Sequence, residues 1–379
     1  MLSRGGSENS VPIISLAGLS GSGKTTAISG VIPRLKKVGL KNISVVKSVS
    51  GEIDMSVEPT LEADRTFSSA TPGASSPTII KKDSQIFRAS GASAVVLVSY
   101  KEGKIFSSDS ESRMFPITLF DSGGKTLAAI CSEVLPSDGK TDLVIAEGFS
   151  ADDSIPHIQV GRLDGDRKIS GKVLAVFPSL KSPVSSDDEK TINRLAAWLY
   201  VFYAILSPRP VLLFVGNPLR GDDGFGASIA DIVIGCRGVS DEEVLMINSV
   251  TAPENYAARI TSFRPTAIVI FDAVTSDIKG GAGDVNIFTP EDILQGAVKF
   301  STHGGGLKMF LDYIKIEMGD AFPPCAVVGA KAESVSYPLC YCVSSSSVMS
   351  PEVSAAAQDI AGFILKAFHY RRLKITGDK

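Results

Sequence analysis

Ile13-Ile14-Ser15-Leu16-Ala17-Gly18-Leu19-Ser20-Gly21-Ser22-Gly23-Lys24-Thr25-Thr26 decides how the first half of the chain is read. An apolar run of strand length passes into a glycine-rich turn and then into a helix-compatible stretch, the setting that a phosphate-binding loop requires. Gly18, Gly23, Lys24 and Thr25 fill the fixed positions of G-x-x-x-x-G-K-[ST]. Glycines let the backbone turn tightly and aim its N–H groups at phosphate oxygens, and the helix N-terminus adds a positive dipole end. On this reading Gly18, Ser20, Gly21, Ser22, Gly23, Lys24, Thr25 and Thr26 hold a nucleotide. Lys24 reaches the outer phosphates and the Thr25 hydroxyl helps to hold magnesium. A glycine-rich strand-to-helix turn without a ligand has the same local pattern.

Moving outward, Ile43-Ser44-Val45-Val46 reads as a second strand closed by Lys47, and Pro33 and Gly39 as the kink and the stop of the first helix. Residues 51–77, rich in Ser, Thr, Pro and Ala without apolar period, read as a mobile insertion. A short helix near Asp83–Ala89, a strand at Ala94–Val98 and a helix near Lys125–Leu135 follow. Asp142-Leu143-Val144-Ile145-Ala146-Glu147 is a buried strand ending in an acid. Glu147 at that end could hold magnesium or orient a water, or simply cap the strand. Strands alternating with helices give a parallel sheet wound on both faces.

The length of 379 residues implies two or three domains, and 44% hydrophobic with 21% charged residues is ordinary globular composition. A net charge of −3 gives no footprint for nucleic acid or an anionic membrane surface. Met1–Ser10 lacks an apolar signal core, and the most apolar run, Leu195–Leu206, falls short of the ~20 residues that span a bilayer. That run reads as the buried end of a helix started by Ser186-Asp187-Asp188-Glu189 and stopped by Pro208 and Pro210. The five cysteines are scattered and suit reduced thiols in the cytoplasm.

The first ~200 residues resemble MobB, the GTP-binding adaptor of molybdopterin-guanine dinucleotide synthesis. The likeness rests on Gly18–Thr26, Val45-Val46-Lys47, Lys82-Asp83-Ser84, Ser90-Gly91-Ala92, Ala146-Glu147-Gly148-Phe149 and Pro156–Arg162. It implies GTP with Mg2+ on Thr25 and Glu147, room for weak GTPase activity, a homodimer, and contact with molybdenum-cofactor synthesis proteins. The family's histidines after the second strand are replaced by Ser48-Val49-Ser50.

A fresh α/β unit begins after Pro210, with strands at Val211–Val215, Val244–Ile247, Ala267–Phe271 and Cys325–Val328. Gly216-Asn217-Pro218-Leu219-Arg220-Gly221-Asp222-Asp223-Gly224-Phe225-Gly226 leads into a helix from Ala227, and Thr289-Pro290 starts another. Helices at Leu307–Glu317 and Pro351–Ala367 follow. In open parallel sheets ligands bind at the carboxyl ends of strands. Asp223 and Asp272 follow such ends, and the loop of His303 can reach the same edge. Two carboxylates and an imidazole suit a divalent transition metal with positions left open. Each has a structural alternative, since such aspartates also cap turns and lone histidines also serve as structure.

Val211 to about Ala367 resembles the hydrogenase maturation proteases of the HycI and HybD type. The matching stretches are Gly216-Asn217, Gly221-Asp222-Asp223-Gly224-x-Gly226, Ala252-Pro253-Glu254-Asn255, Asp272-Ala273 and Thr302-His303. The resemblance implies removal of a C-terminal peptide from the nickel-iron hydrogenase large-subunit precursor. Asp223, Asp272 and His303 would contact the substrate-borne Ni2+, with a polarised water as the attacking group. The family's glycine pair is replaced by Asn248-Ser249-Val250-Thr251, and a late glycine-isoleucine-glutamine-proline segment by Gly329-Ala330-Lys331-Ala332.

The expectation is therefore two doubly wound three-layer α/β/α domains, 1–206 and 211–379, joined by Ser207-Pro208-Arg209-Pro210. The first is like a P-loop NTPase and the second has a phosphorylase/hydrolase-like protease fold. The competing expectation is a nucleotide-dependent adaptor or metal chaperone whose protease-like half does not cleave.

Overall fold

The structure is a computed structural model that describes residues 11–49, 77–99, 103–108, 114–120, 125–135, 141–163, 168–236, 243–276, 278–301, 305–333, 335 and 349–376. Residues 51–76 of the expected insertion, and Thr302, His303 and Gly304, lie outside the described residues. Two compact α/β units meet in sequence between Ser182 and Pro183, apart from residues 11–12 and Arg34–Leu40, which group with the second.

The first unit begins with β1 (Ile13–Ala17), the phosphate-loop candidate and α1 (Lys24–Lys37), followed by β2 (Ile43–Val49), α2 (Pro77–Ala89) and β3 (Ala94–Ser99). A hairpin of β4 (Gly103–Ser108) and β5 (Met114–Phe120) precedes α3 (Leu127–Val134), β6 (Leu143–Glu147), β7 (His157–Val160) and β8 (Val173–Phe177). They form one sheet in the order β5-β4-β3-β2-β6-β1-β7-β8, parallel from β3 to β8, with the hairpin adding two antiparallel strands at one edge. Every residue of β1 and β6 is buried, as expected of parallel strands covered on both faces. Pro33 lies inside α1, which ends in a Schellman motif. There Gly39 (φ +104) donates its N–H to Lys36 O at 3.1 Å, and Leu40 donates to Leu35 O at 3.2 Å.

The second unit starts earlier than the apolar pattern suggests. Helix α4 (Ser186–Leu206) belongs to it, because its buried stretch Leu195–Ile205 packs on the second sheet and on the final helix rather than ending the first domain. Its capping box is Ser185 with Asp188, one residue before the expected start. Ser207–Pro210, expected as the joint between domains, lies within this unit. Pro210 opens β9, and Arg371 donates to the carbonyls of Ile205, Ser207 (2.6 Å) and Pro208 (3.3 Å).

Then come β9 (Pro210–Val215), α5 (Phe225–Gly235), β10 (Leu245–Val250), α6 (Ala257–Phe263), β11 (Ala267–Val274) and β12 (Val285–Phe288). The unit closes with α7 (Pro290–Leu294), α8 (Gly306–Met318), β13 (Cys325–Lys331) and α9 (Pro351–Thr376). The sheet order is β10-β9-β11-β13-β12, parallel except for the edge strand β12. Alternate residues serve opposite faces. Val211, Leu213, Ile268, Ile270 and Val327 share a core with Ile260 of α6, Ile293 of α7, and Phe310, Leu311 and Ile314 of α8. Helices α4, α5 and α9 pack together on the other face, where Phe214 and Phe271 stack with ring centres 5.2 Å apart and Tyr200 donates to Ile268 O at 3.1 Å. This unit is a three-layer α/β/α sandwich. No helix among the described residues is long and apolar enough to cross a membrane.

Candidate functional site

Each unit presents a polar cluster at the carboxyl edge of its parallel strands, where open α/β sheets bind ligands. In the first unit the register aligns Leu16 with Glu147 and Glu147 with Lys47, so these three residues lie side by side on neighbouring strands. The loop after β1 is braced from its own unit: Leu180 N–H donates to Ser22 O at 3.0 Å. Gly23 has φ +87, and a Cβ there would stand 2.5 Å from Leu180 O, so glycine is required. The Lys24 ammonium donates to the carbonyls of Leu19 (2.6 Å) and Gly18 (3.1 Å). Ser22 and Lys24 are buried, whereas Ser20 and Gly21 face solvent.

The Thr25 hydroxyl lies 3.0 and 3.1 Å from the two Glu147 carboxylate oxygens. Glu147 also accepts from the Lys47 ammonium at 3.0 Å, and Lys47 donates in addition to Asp83 of α2. Burial lowers the Lys24 pKa below the usual lysine range against the pull of Glu147, with Lys47 adding a further push down. Burial works on Lys47 in the same direction, but Glu147 and Asp83 outweigh it and leave its pKa raised. A hydroxyl and a carboxylate side by side are the hard oxygen donors that Mg2+ prefers, and the backbone cradle with Lys24 fits a phosphate chain. Motif reading assigned no role to Lys47 or Asp83. The available signal was positional, since Lys47 lies in β2 opposite Glu147, the last residue of β6.

In the second unit the chain leaves β9 at Gly216 and enters a 3₁₀ turn, Gly221–Gly224, that leads into α5. Gly216 has φ +132, and a Cβ there would lie 1.8 Å from the Asp223 carbonyl oxygen. At Gly226 a Cβ would meet Val215 O at 2.2 Å and Phe271 O at 2.5 Å, so the start of α5 rests directly on the ends of β9 and β11. That contact brings Asp223 to the edge where β11 carries Asp272, and both are fully buried, 1% and 0% exposed. Arg220 donates to Asp223 Oδ2 at 3.1 Å. Asp272 Oδ1 accepts from the Ser301 hydroxyl at 2.9 Å and from the Ala273 N–H at 2.7 Å. Asp222 serves structure: its two oxygens accept the N–H groups of Glu333 and Ser350 at 2.7 Å each and fix the turn.

Asp223 and Asp272 thus reach one edge, while His303 lies outside the described residues. Among the described residues no group of three or more His, Cys, Asp or Glu side chains is arranged to hold a metal ion. Arg220 and Ser301, the polar partners of the two carboxylates, were not singled out by sequence. Val250, within the segment that replaces the family's glycine pair, adopts φ +55. Its carbonyl accepts the Gly216 N–H at 2.5 Å. This left-handed conformation is costly for a β-branched residue.

The second unit is thus an α/β sandwich with buried carboxylates at its switch edge. The profile of the family described as HycI, hydrogenase maturation protease, matches residues 236–367. Hydrogenase 3 maturation protease of Escherichia coli K12 is 34% identical over 110 residues, covering 29% of this chain and 67% of that protein. The O157:H7 protein of the same name gives the same values. The crystal structure of the [NiFe] hydrogenase maturation protease HycI from Thermococcus kodakarensis KOD1 aligns at 27% identity and a TM-score of 0.36. It covers 43% of this chain and 94% of its own. Through its second unit, the chain belongs to the hydrogenase maturation protease family.

Proposed function

We propose that the second unit is an endopeptidase that trims the C-terminus of a nickel-iron hydrogenase large-subunit precursor after nickel insertion. The observation that carries this reading is the pair of buried carboxylates, Asp223 and Asp272, delivered to one sheet edge by the Gly216–Gly226 turn in a chain of this family. In this reading Asp223, Asp272 and His303 contact the nickel borne by the substrate, and a water polarised there attacks the peptide carbonyl. Arg220 and Ser301 hold the two aspartates in place. Incubation with nickel-loaded precursor tests it: cleavage by the wild type and none by Asp272→Asn or His303→Ala is expected. Cleavage undiminished in both variants would remove these residues from the reaction.

The first unit, in the same proposal, binds GTP with Mg2+ in the MobB manner. The cradle Gly18–Thr26 holds the phosphates, and Thr25 with Glu147 holds the metal. The support is the complete loop motif and the Thr25–Glu147 contact. Equilibrium titration with guanine and adenine nucleotides tests it, Lys24→Ala being expected to bind neither. The joined function would be cytoplasmic metalloenzyme maturation, with contact to molybdenum-cofactor synthesis proteins and a homodimer as further parts of the MobB likeness. A second reading, a non-cleaving adaptor or metal chaperone, is favoured by Asn248-Ser249-Val250-Thr251 in place of the family's glycine pair, with Val250 at φ +55 beside Gly216. Binding of the precursor without cleavage is its expected result.

A further inference from the structure

We infer that Lys47 reads the outermost phosphate of the bound nucleotide and passes that reading to α2 through Asp83. The inference rests on the nucleotide-binding reading of the first unit. An unbroken set of contacts runs from the loop to the helix. The Thr25 hydroxyl meets Glu147 at 3.0 Å, Glu147 meets Lys47 at 3.0 Å, and Lys47 meets Asp83 in the second turn of α2. These charged side chains are largely withdrawn from water, with Lys47 13%, Asp83 15% and Glu147 9% exposed. At such burial an exchange of ionic partners has a larger effect than it would at the surface.

Charge balance supplies the direction. Lys24 and Lys47 offset Glu147 and Asp83, so the cluster is neutral as it stands. A magnesium-bound triphosphate adds net negative charge and engages Thr25 and Glu147 through the metal. Glu147 then competes less for Lys47, whose ammonium sits on a flexible four-carbon stem beside the loop. A terminal phosphate offers it stronger, multidentate acceptors than Asp83 does. Moving there leaves Asp83 partly buried without its cation, a state that α2 relieves only by shifting or loosening. A diphosphate lacks the outer group and leaves Lys47 on Asp83. The chain therefore has a two-state element whose balance the outer phosphate sets.

The test uses the full chain, magnesium, and the tri- and diphosphates of guanosine and adenosine, with binding titrations and amide hydrogen exchange over α2. The wild type is expected to favour triphosphate by about tenfold or more, the worth of a charged hydrogen bond. Exchange in α2 should respond to triphosphate only. Lys47→Met should bind triphosphate no more tightly than it binds diphosphate, and should silence α2. Lys47→Arg should restore part of the preference, and Asp83→Asn should keep the preference but lose the α2 response. If Lys47→Met does not fold, Lys47→Arg and Asp83→Asn carry the test. A preference and α2 response retained in Lys47→Met overturns the inference, as does a wild type that binds both nucleotides alike. A wild type that binds neither nucleotide overturns the nucleotide-binding reading itself, and the inference with it.

Discussion

Polar and charged side chains at the sheet edge of the first unit hold one another: Thr25, Glu147, Lys47 and Asp83 form a connected set in which each contact is side chain to side chain. At the corresponding edge of the second unit the carboxylates depend more on backbone. Asp223 is set by the turn from Gly216, Asp222 accepts two peptide N–H groups, and Asp272 accepts one beside the Ser301 hydroxyl. A site built from mutual ion pairs can exchange partners when charge arrives. One built on fixed backbone presents an unchanging set of oxygens to whatever enters. The first arrangement suits a switch, the second a preorganised reaction centre.

The most severe way to break this contrast is Asp272→Asn, which replaces a buried carboxyl group without changing shape. Precursor cleavage followed by gel shift should fall by about a hundredfold or more, the loss typical of a group that acts on developing charge. Nucleotide titration of the same variant should be unchanged. Arg220→Met tests the electrostatic support of the second site, because it leaves Asp223 buried without its guanidinium. Breaking such a pair costs about 3 kcal/mol, to be read from urea denaturation. Gly23→Ala strikes the backbone-dependent part of the first site, where a Cβ meets Leu180 O at 2.5 Å. A cost of about 2 kcal/mol and loss of nucleotide binding are expected from strain in a left-handed turn.

Val250→Gly sharpens the comparison in the opposite sense. Relief of a β-branched residue at φ +55 should stabilise the second unit by about 1 kcal/mol, seen as a higher melting temperature. The smallest effect concerns His157, fully buried with Nε2 at 2.8 Å from Asp152 O. Burial lowers its pKa, only partly offset by the contact with Asp152. Below the ordinary histidine value of about 6.5 the unfolded chain takes up a proton that the folded chain resists, so stability falls with falling pH and is unaffected above that value. Melting temperatures of wild type and His157→Gln at about pH 5 and about pH 7.5 should show a smaller acid decrease in the variant.

Much of the architecture was legible because it is written locally. The loop from Gly18 to Thr25, the strand ending in Glu147, and the cap at Thr289 with Pro290 each need only neighbours in sequence. The α4 helix was not so legible. Its apolar run announces burial but does not say against what, and the sheet of the second unit with α9 claimed it. The hairpin β4–β5 and the four-residue edge strand β12 also escaped, since neither carries a clear alternation of apolar and polar residues.

The sequence alone determined which residues are candidates for the chemistry, since Lys24, Thr25, Glu147, Asp223, Asp272 and His303 stand out by residue type and motif. Only the tertiary structure decided their partners. Strand order put Lys47 beside Glu147, the packing of α2 put Asp83 on Lys47, and the close rest of Gly226 on β9 and β11 brought Asp223 to the edge of Asp272. The physical reason is that an ion pair or a shared edge joins residues far apart in the chain. Their meeting depends on how strands order and helices pack, and no local pattern records it.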